Sequence, residues 1–308
     1  MADRAHLAQL QRGVKTWAAW RLAQSATQTE PSHVKAIDLS DASLDGIDLS
    51  GIDLSGVDLC RSSLCWAILT TANLSDAKLN KAVLHKTTFV DAMLQRAEFV
   101  DASLIDADFR GADLTCANLI GADLKHANFN DADLTKANLI GTELRGAKFK
   151  HADLHRADLR RTDLSQAMLI KANLTEANLS YANLFEAELS GANLYRSSFY
   201  KANLRQAHLS GVYLFDADFQ DANLTGVDLS WANLSKANLS GANLTGANLR
   251  GAILTKANLF GATLNDANLR GTILIKANLT NVDFSGSDLE LADLKQAIIK
   301  NTIFPSNL

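Results

Sequence analysis

Residues 242–251 read ANLTG followed by ANLRG, and this five-residue pattern decides the fold. From Leu39 to Phe304 every fifth residue is Leu, Phe or, once, Ile, with no slip in phase. The run makes 54 consecutive units, and the residue two places before each centre is small or β-branched, usually Ala. A period of this kind fixes which residues face inward before any motif is considered.

A period of five fits neither the 3.6 residues of a helical turn nor the two-residue repeat of a strand. If each unit turns through about a right angle, four units close one coil, and residues 20 apart stack at roughly 4.8 Å. The phenylalanines support this closure, because eight of the nine at centre positions have another Phe 20 residues away. The columns are Phe89, Phe109, Phe129 and Phe149; Phe199 and Phe219; and Phe284 and Phe304. Only Phe99 stands alone.

The unbroken pattern A-[D/N]-L-x-x resembles that of the pentapeptide-repeat proteins. The resemblance implies an all-β solenoid, a right-handed quadrilateral β-helix with the centre residue and the preceding Ala pointing inward. At four units per coil we expect about 13 coils. We therefore predict two parts, residues 1–35 as a helical cap and linker and residues 36–308 as the pentapeptide-repeat β-helix.

Five apolar residues of the leader fall on one helical face: Leu7, Leu10, Val14, Trp17 and Trp20. We expect one helix from about Ala5 to Gln24 and a polar linker from Ser25 to His33. The helix would cover the first coil, whose unpaired backbone groups would otherwise invite edge-to-edge association. A partner-binding helix is the alternative. The leader is too short and interrupted for a membrane span or signal peptide, so we expect no membrane association.

The leader also carries a clue to lineage. The stretch 13–21, GVKTWAAWR, is similar to the tryptophan-containing leader of cyanobacterial pentapeptide-repeat proteins.

No nucleophile constellation, phosphate loop or dinucleotide fingerprint appears in the sequence. Coils filled with Leu, Phe and Ala leave no cavity for a substrate, so we predict that the protein is not an enzyme and needs no cofactor. The Asp and Asn residues before the centres are interpreted as turn anchors, because Asx side chains bond to nearby backbone groups. Stacked carboxylates such as Asp113, Asp133 and Asp153 are a weaker candidate for acid-base chemistry or a cation site.

Cysteines and histidines do not form a recognisable metal site. Cys60, Cys65 and Cys116 occupy outward positions and are interpreted as free thiols of a reducing, cytoplasmic compartment. His151 and His155 lie in a basic stretch that we interpret as solvated. Its other members are Lys148, Lys150, Arg156, Arg160 and Arg161. We therefore predict no bound metal.

The charge balance bears on the best-known role that the resemblance implies, mimicry of DNA by proteins that protect DNA gyrase. The leader has five Lys or Arg and two Asp or Glu, which leaves 25 basic and 32 acidic residues in the repeat, a net charge of −7. A DNA mimic needs one sign of charge along a face. The mixed signs here make gyrase binding the alternative, and we expect no nucleic-acid binding because no coherent basic stripe is evident.

Outward apolar residues are the preferred candidates for protein contact. Tyr195 and Phe215 share a column, Tyr213 lies beside them, Tyr200 lies around the corner, and Phe185 stacks over Arg205 in a possible cation–π contact. A second column contains Val100, Ile120 and Ile140. These residues either bind a partner or brace the sheet by cross-strand packing.

The last coils are enriched in apolar residues, namely Leu291, Ile298, Ile303 and Phe304. These residues predict either that the tail 305–308 covers the C-terminal end of the solenoid or that this end pairs with that of a second copy. We therefore expect a protein-interaction rod. The resemblance of the leader to cyanobacterial pentapeptide-repeat proteins implies a narrower version, a regulator of cell differentiation. Its partner is an unidentified protein, with a homodimer through the C-terminal end as a further expectation.

Overall fold

A computed structural model describes residues 2–27 and 37–306. The chain divides into two compact units, Met1–Glu143 and Leu144–Leu308, which we describe separately. The first unit opens with helices α1, Arg4–Gln11, and α2, Val14–Thr27. Parallel bridges run from Asp38 to Glu143 in the first unit and from Lys148 to Ile303 in the second.

Every bridge within each unit joins residues 20 apart. The Leu39 amide donates to the Asp58 carbonyl at 2.7 Å, and the Asp58 amide donates to the Ile37 carbonyl at 2.9 Å. This alternation repeats along both units, so four five-residue segments make one coil, as the sequence predicts. The described residues form isolated bridges without longer strands, because the chain turns a corner after each one. The count of about 13 coils stays a prediction.

The interior is filled by the centre residues and by the small residues two places before them. Phe109 stacks on Phe89 and on Phe129 with ring centroids 4.8 Å apart in both pairs, and Phe199 stacks on Phe219 at 4.7 Å. These distances equal the spacing of adjacent strands. Phe99 has no other Phe in its column, as the sequence predicts, but its ring meets Phe89 and Phe109 edge-on at 6.1 and 6.3 Å. Rings from different faces therefore meet inside the coil.

The second residue after the centre, which we call the corner position, has a left-handed backbone in every unit from Asp41 to Asn301. Glycine fills many corners, and φ is +67° at Gly121. Others carry full side chains, including Thr71 at φ +54° and Trp231 at φ +60°. The Thr71 amide donates to the Val90 carbonyl at 2.9 Å, so the corner belongs to the hydrogen-bond ladder. This conformation costs a non-glycine residue roughly 1–2 kcal/mol.

The predicted single helix is two helices. Gly13 has φ +96°, which an L side chain rarely adopts, and it separates α1 from α2. Leu10 and Trp17 are fully buried, while Leu7, Val14 and Trp20 are half-buried, so the predicted apolar face exists across both helices. Most of the expected linker, including Pro31, lies outside the described residues. The exact boundary between leader and repeat therefore stays a prediction.

The two helices satisfy backbone groups of the first coil that have no preceding coil to pair with. The Asp38 amide donates to His6 Nδ1 at 3.1 Å, and the Asp38 carbonyl accepts from the Asp3 amide at 3.1 Å. The Asp53 carbonyl accepts from Trp17 Nε1 at 2.7 Å and from Arg21 at 3.2 Å. Since unpaired buried backbone groups are costly, these bonds explain physically how the leader caps the coil.

Candidate protein-interaction surfaces

Tyr195, Tyr213 and Phe215 form one group on the outer surface of the second unit, which we call the aromatic cluster. Ring centroids are 6.0 Å apart between Tyr195 and Phe215 and 6.2 Å apart in the two pairs that involve Tyr213. Tyr213 is 43% exposed, and the other two side chains are half-buried. The structure therefore brings together the three residues that the sequence placed near one another.

Two cations border the aromatic cluster. The Arg196 guanidinium lies 5.1 Å from the Tyr195 ring centroid, and Lys236 Nζ lies 5.1 Å from that of Phe215. Arg196 also donates to Asp216 at 3.0 Å, and this bond raises the pKa of the guanidinium. Cations over aromatic faces orient the rings while leaving their outer edges available.

Tyr200 belongs to a different pair. Its ring meets Tyr181 edge-on at 5.5 Å, and Lys201 lies 5.1 Å from the Tyr200 centroid. The sequence reasoning missed Tyr181, which is half-exposed at a corner with Arg161 above its ring. The expected contact of Arg205 with Phe185 is confirmed at 5.8 Å.

The aliphatic column of the first unit is less accessible than the aromatic cluster. Val100, Ile120 and Ile140 are all half-buried. The bridge between Asn118 and Asn138 puts the last two in register. This burial fits bracing of the sheet by cross-strand packing.

Two tryptophans at corners are exposed surface features that the sequence reasoning also missed. Trp66 is 61% exposed with Lys86 Nζ 4.4 Å from its ring, and Trp231 is 66% exposed. The sequence did contain a signal for these two residues. Gly or a polar residue fills most corners, so an aromatic residue at a corner departs from the pattern. The inward-outward assignment alone gave no reason to single out a corner.

Family comparisons agree with the repeat geometry. The family described as Pentapeptide repeats matches in eight copies over residues 37–76, 127–166, 172–211, 213–251, 252–290 and 264–301. A related Pentapeptide repeat region matches residues 65–139. The chain belongs to the pentapeptide-repeat family. Pentapeptide-repeat proteins fold as right-handed quadrilateral β-helices and are generally non-enzymatic structural or interaction proteins.

Several solved pentapeptide-repeat proteins are similar to this one. HetL, which is involved in heterocyst differentiation regulation in Nostoc sp. strain PCC 7120, is 28% identical, with 94% of this chain and 98% of HetL covered and a TM-score of 0.30. Another Nostoc PCC 7120 pentapeptide-repeat protein is 41% identical over 34% of this chain and 78% of its own, with a TM-score of 0.18. Trypsin-treated QnrB1, a plasmid-mediated fluoroquinolone resistance protein, is 20% identical over 62% and 90%, with a TM-score of 0.42. Among curated proteins, none matches this sequence.

Several charges on this pentapeptide-repeat protein form opposite-sign pairs, either between neighbouring coils or between residues two apart on one coil. Arg61 bonds Asp41 at 2.8 Å, and Arg96 bonds Asp76 at 2.6 Å. Each of these arginines holds the pKa of its partner carboxyl below the usual range. The stretch around His151 and His155 contains both kinds of pair, because Arg156 pairs with Glu176 one coil away at 2.6 Å and Arg160 pairs with Asp158 on its own coil at 2.6 Å. The arginines of this basic stretch are thus partly neutralised.

The side chains considered for chemistry have structural partners. Asp113 accepts from the Thr115 amide at 2.9 Å and from Gln95, and Asp133 accepts from the Thr135 amide at 2.8 Å, so both anchor turns. Burial raises the pKa of Asp113, but the bonds from Thr115 and Gln95 outweigh it and leave the pKa lowered. Within residues 2–27 and 37–306 no group of three or more His, Cys, Asp or Glu is placed to hold a metal.

The three cysteines are free, with Cys116 exposed and the other two half-buried. Burial raises the pKa of the Cys60 thiol to about 11, which keeps it protonated near neutral pH. Neither described helix has the length and apolar content that a bilayer span requires.

The last described coil exposes apolar side chains. Leu291 is 75% exposed, Ile298 57% and Ile303 55%. Phe304 is half-buried and stacks on Phe284 at 5.8 Å. Of the tail expected to cover this end, Pro305 and Ser306 are described and residues 307–308 lie outside the described range.

Proposed function

We propose that this pentapeptide-repeat protein is a non-enzymatic, cytoplasmic interaction scaffold that binds a protein partner through its outer faces. The observation that carries the proposal is the aromatic cluster of Tyr195, Tyr213 and Phe215. Three aromatic rings in mutual contact at a surface, with cations beside them, resemble the aromatic and Arg-rich centres of protein interfaces. The filled interior directs any biological role to the surface and the ends.

Bracing of the sheet is the competing explanation for the cluster. It accounts for stacking between Tyr195 and Phe215 on adjacent coils. It does not require the exposed Tyr213 ring, since the bridge position before other centres is usually Asp or Asn. A partner that covers this ring would add apolar burial worth about 25 cal/mol per Å².

The test is affinity capture from a lysate of the source organism. Wild-type protein is compared with the double variant Tyr195→Ala/Phe215→Ala and with Phe260→Ala, which removes an exposed aromatic elsewhere. We expect one specific partner to be lost from the double variant and retained by Phe260→Ala. Circular dichroism confirms that each variant is folded. Equal recovery of all proteins on the three baits would contradict the proposal.

A narrower version is a regulator of cyanobacterial cell differentiation, which is the role named for HetL. The Trp-containing leader and the family membership support it. Deletion of the gene followed by counting of differentiated cells tests this version, and an unchanged cell pattern counts against it.

A homodimer through the C-terminal end is a further part of the proposal. Exposed Leu291, Ile298 and Ile303 support it, because paired ends would cover them. Light scattering at micromolar concentration should give twice the mass of the 308-residue chain. A monomeric mass would reject the homodimer and leave the proposed scaffold function untouched.

Protection of DNA gyrase is the second candidate function. The QnrB1 comparison and the negative balance of the repeat motivate it. The paired charges, such as Arg61 with Asp41, weaken any field of one sign. Inhibition of gyrase supercoiling by the purified protein would favour this function over the scaffold.

A further inference from the structure

The second unit has another basic part besides the stretch at residues 148–161. Between residues 229 and 282 the chain has five Lys or Arg and one acidic residue, Asp266. The whole protein, in contrast, has a net charge of −4. Three of these cations occupy the same corner on successive coils. Lys236, Lys256 and Lys276 have φ values of +62°, +60° and +59°, and we call them the lysine column.

The lysine column departs from the charge rule of its own corner. One to four coils earlier, the same column reads Arg156, Glu176, Arg196 and Asp216, with pairs at 2.6 and 3.0 Å. Across the described residues, no carboxylate lies within ion-pair distance of the three lysines, and Asp216 is engaged by Arg196. Like charges on adjacent coils destabilise a sheet. Lys236 contacts the Phe215 ring at 5.1 Å, but within the described part of the chain none of the three lysines has a carboxylate partner. Three such lysines at a roughly 4.8 Å spacing therefore favour an anionic partner.

An apolar strip runs beside the lysine column. Ile253 and Ile273 pair in a parallel bridge on the adjoining face, and both are half-buried. Most bridge positions carry Asp or Asn, so consecutive isoleucines remove the usual polar ladder from this face. The strip is aliphatic, which suits the side chains of a protein better than nucleotide bases.

Trp231 borders the far side of the strip. Its indole lies over Gly251, where an added Cβ would meet the ring at 2.4 Å, so the absence of a side chain at Gly251 makes room for the ring. Trp231 is 66% exposed and has a left-handed backbone that disfavours an indole side chain. The corners of the coils share this backbone, so what sets Trp231 apart is a large exposed ring at a position that Gly or a polar residue usually fills.

We propose that this surface docks an acidic amphipathic helix of a partner protein. The apolar side of the helix lies on Ile253 and Ile273 against Trp231, and its carboxylates face the lysine column. The column spans roughly 10 Å, which matches about two helical turns. Helices that present an apolar stripe to a groove and flanking charges to its rim bind in this way. The inference rests on the proposed interaction role. The surface meets the aromatic cluster at Lys236, which contacts Phe215, and its other residues lie outside that cluster.

Fluorescence anisotropy with defined probes tests the proposal on the full chain. The main probe is a labelled 14-residue peptide of Glu and Leu with Leu at helical spacing. A Lys and Leu peptide, a Glu and Ser peptide and a 12-nucleotide poly-dT strand serve as the other probes. We expect the Glu and Leu peptide to bind at least tenfold more tightly than the others, and more weakly as salt rises.

Matched variants locate the binding. Lys236→Glu/Lys256→Glu/Lys276→Glu should weaken the peptide at least tenfold, since three rim charge pairs are lost. The control triple Lys81→Glu/Lys86→Glu/Lys136→Glu changes three exposed corner lysines with similar φ and should stay within twofold. Gly251→Ala displaces the indole and should weaken binding without a charge change.

Three results overturn the inference. They are no peptide binding to wild type, equal loss in both lysine triples, and preferential binding of the poly-dT strand. Any of these results rejects the acidic-helix site. If the variant Tyr195→Ala/Phe215→Ala also loses a captured partner, the scaffold function is still supported.

Discussion

Trp17 should control the stability of the first coil. Its side chain is fully buried, and its Nε1 donates to the Asp53 carbonyl at 2.7 Å, a group that has no preceding coil to accept from. Trp17→Phe keeps an apolar ring but removes the donor, which costs about 0.5–1.5 kcal/mol. The smaller ring leaves a void that adds about 1 kcal/mol. We therefore expect a local destabilisation of about 2 kcal/mol.

Amide hydrogen exchange measured by mass spectrometry reports this change where it occurs. A loss of about 2 kcal/mol should accelerate exchange roughly 30-fold in peptides covering residues 37–60, while peptides covering residues 100–140 stay unchanged. Trp66→Phe is the matched control, because the Trp66 ring is 61% exposed. If the two variants exchange equally over residues 37–60, the leader does not stabilise the coil through Trp17 and the capping argument fails.

Three further predictions concern the coils. Phe109→Ala should lower the free energy of unfolding by about 3–5 kcal/mol in urea denaturation, because the buried ring stacks on Phe89 and Phe129. Phe109→Leu should lower it by less, because Leu fits the centre position. Equal losses in the two variants would contradict the packing argument. Thr71→Gly should raise the free energy of unfolding in urea denaturation and Gly51→Thr should lower it, each by about 1 kcal/mol, since both corners have a positive φ. Changes of the opposite sign would refute corner strain. Iodoacetamide at pH 8 should modify exposed Cys116 before Cys60 in peptide mass spectrometry. Burial raises the pKa of Cys60 from 9 to about 11, so the folded state favours the neutral thiol. The contribution of this thiol to the free energy of unfolding is therefore complete below pH 9 and is lost between about pH 9 and 11. Faster labelling of Cys60 than of Cys116 would contradict its burial.

The sequence by itself determined the repeat and its inward residues. The five-residue period places Leu or Phe, and once Ile, at every centre. Because the phase never slips, only one register of the repeat buries these residues. It also predicted the stacking of Phe199 on Phe219, because residues one coil apart share a column. The contact of Arg205 with Phe185 followed from the same rule.

Only the tertiary structure decided the features that depend on angles and on contacts between faces. The break at Gly13 needs a value of φ, and the edge-on contacts of Phe99 need the width of the interior. Likewise, the exposure of Trp231 depends on the left-handed corner and on the missing side chain of Gly251. A periodic sequence specifies which residues lie above one another, whereas the backbone conformation at each corner decides what those residues can reach.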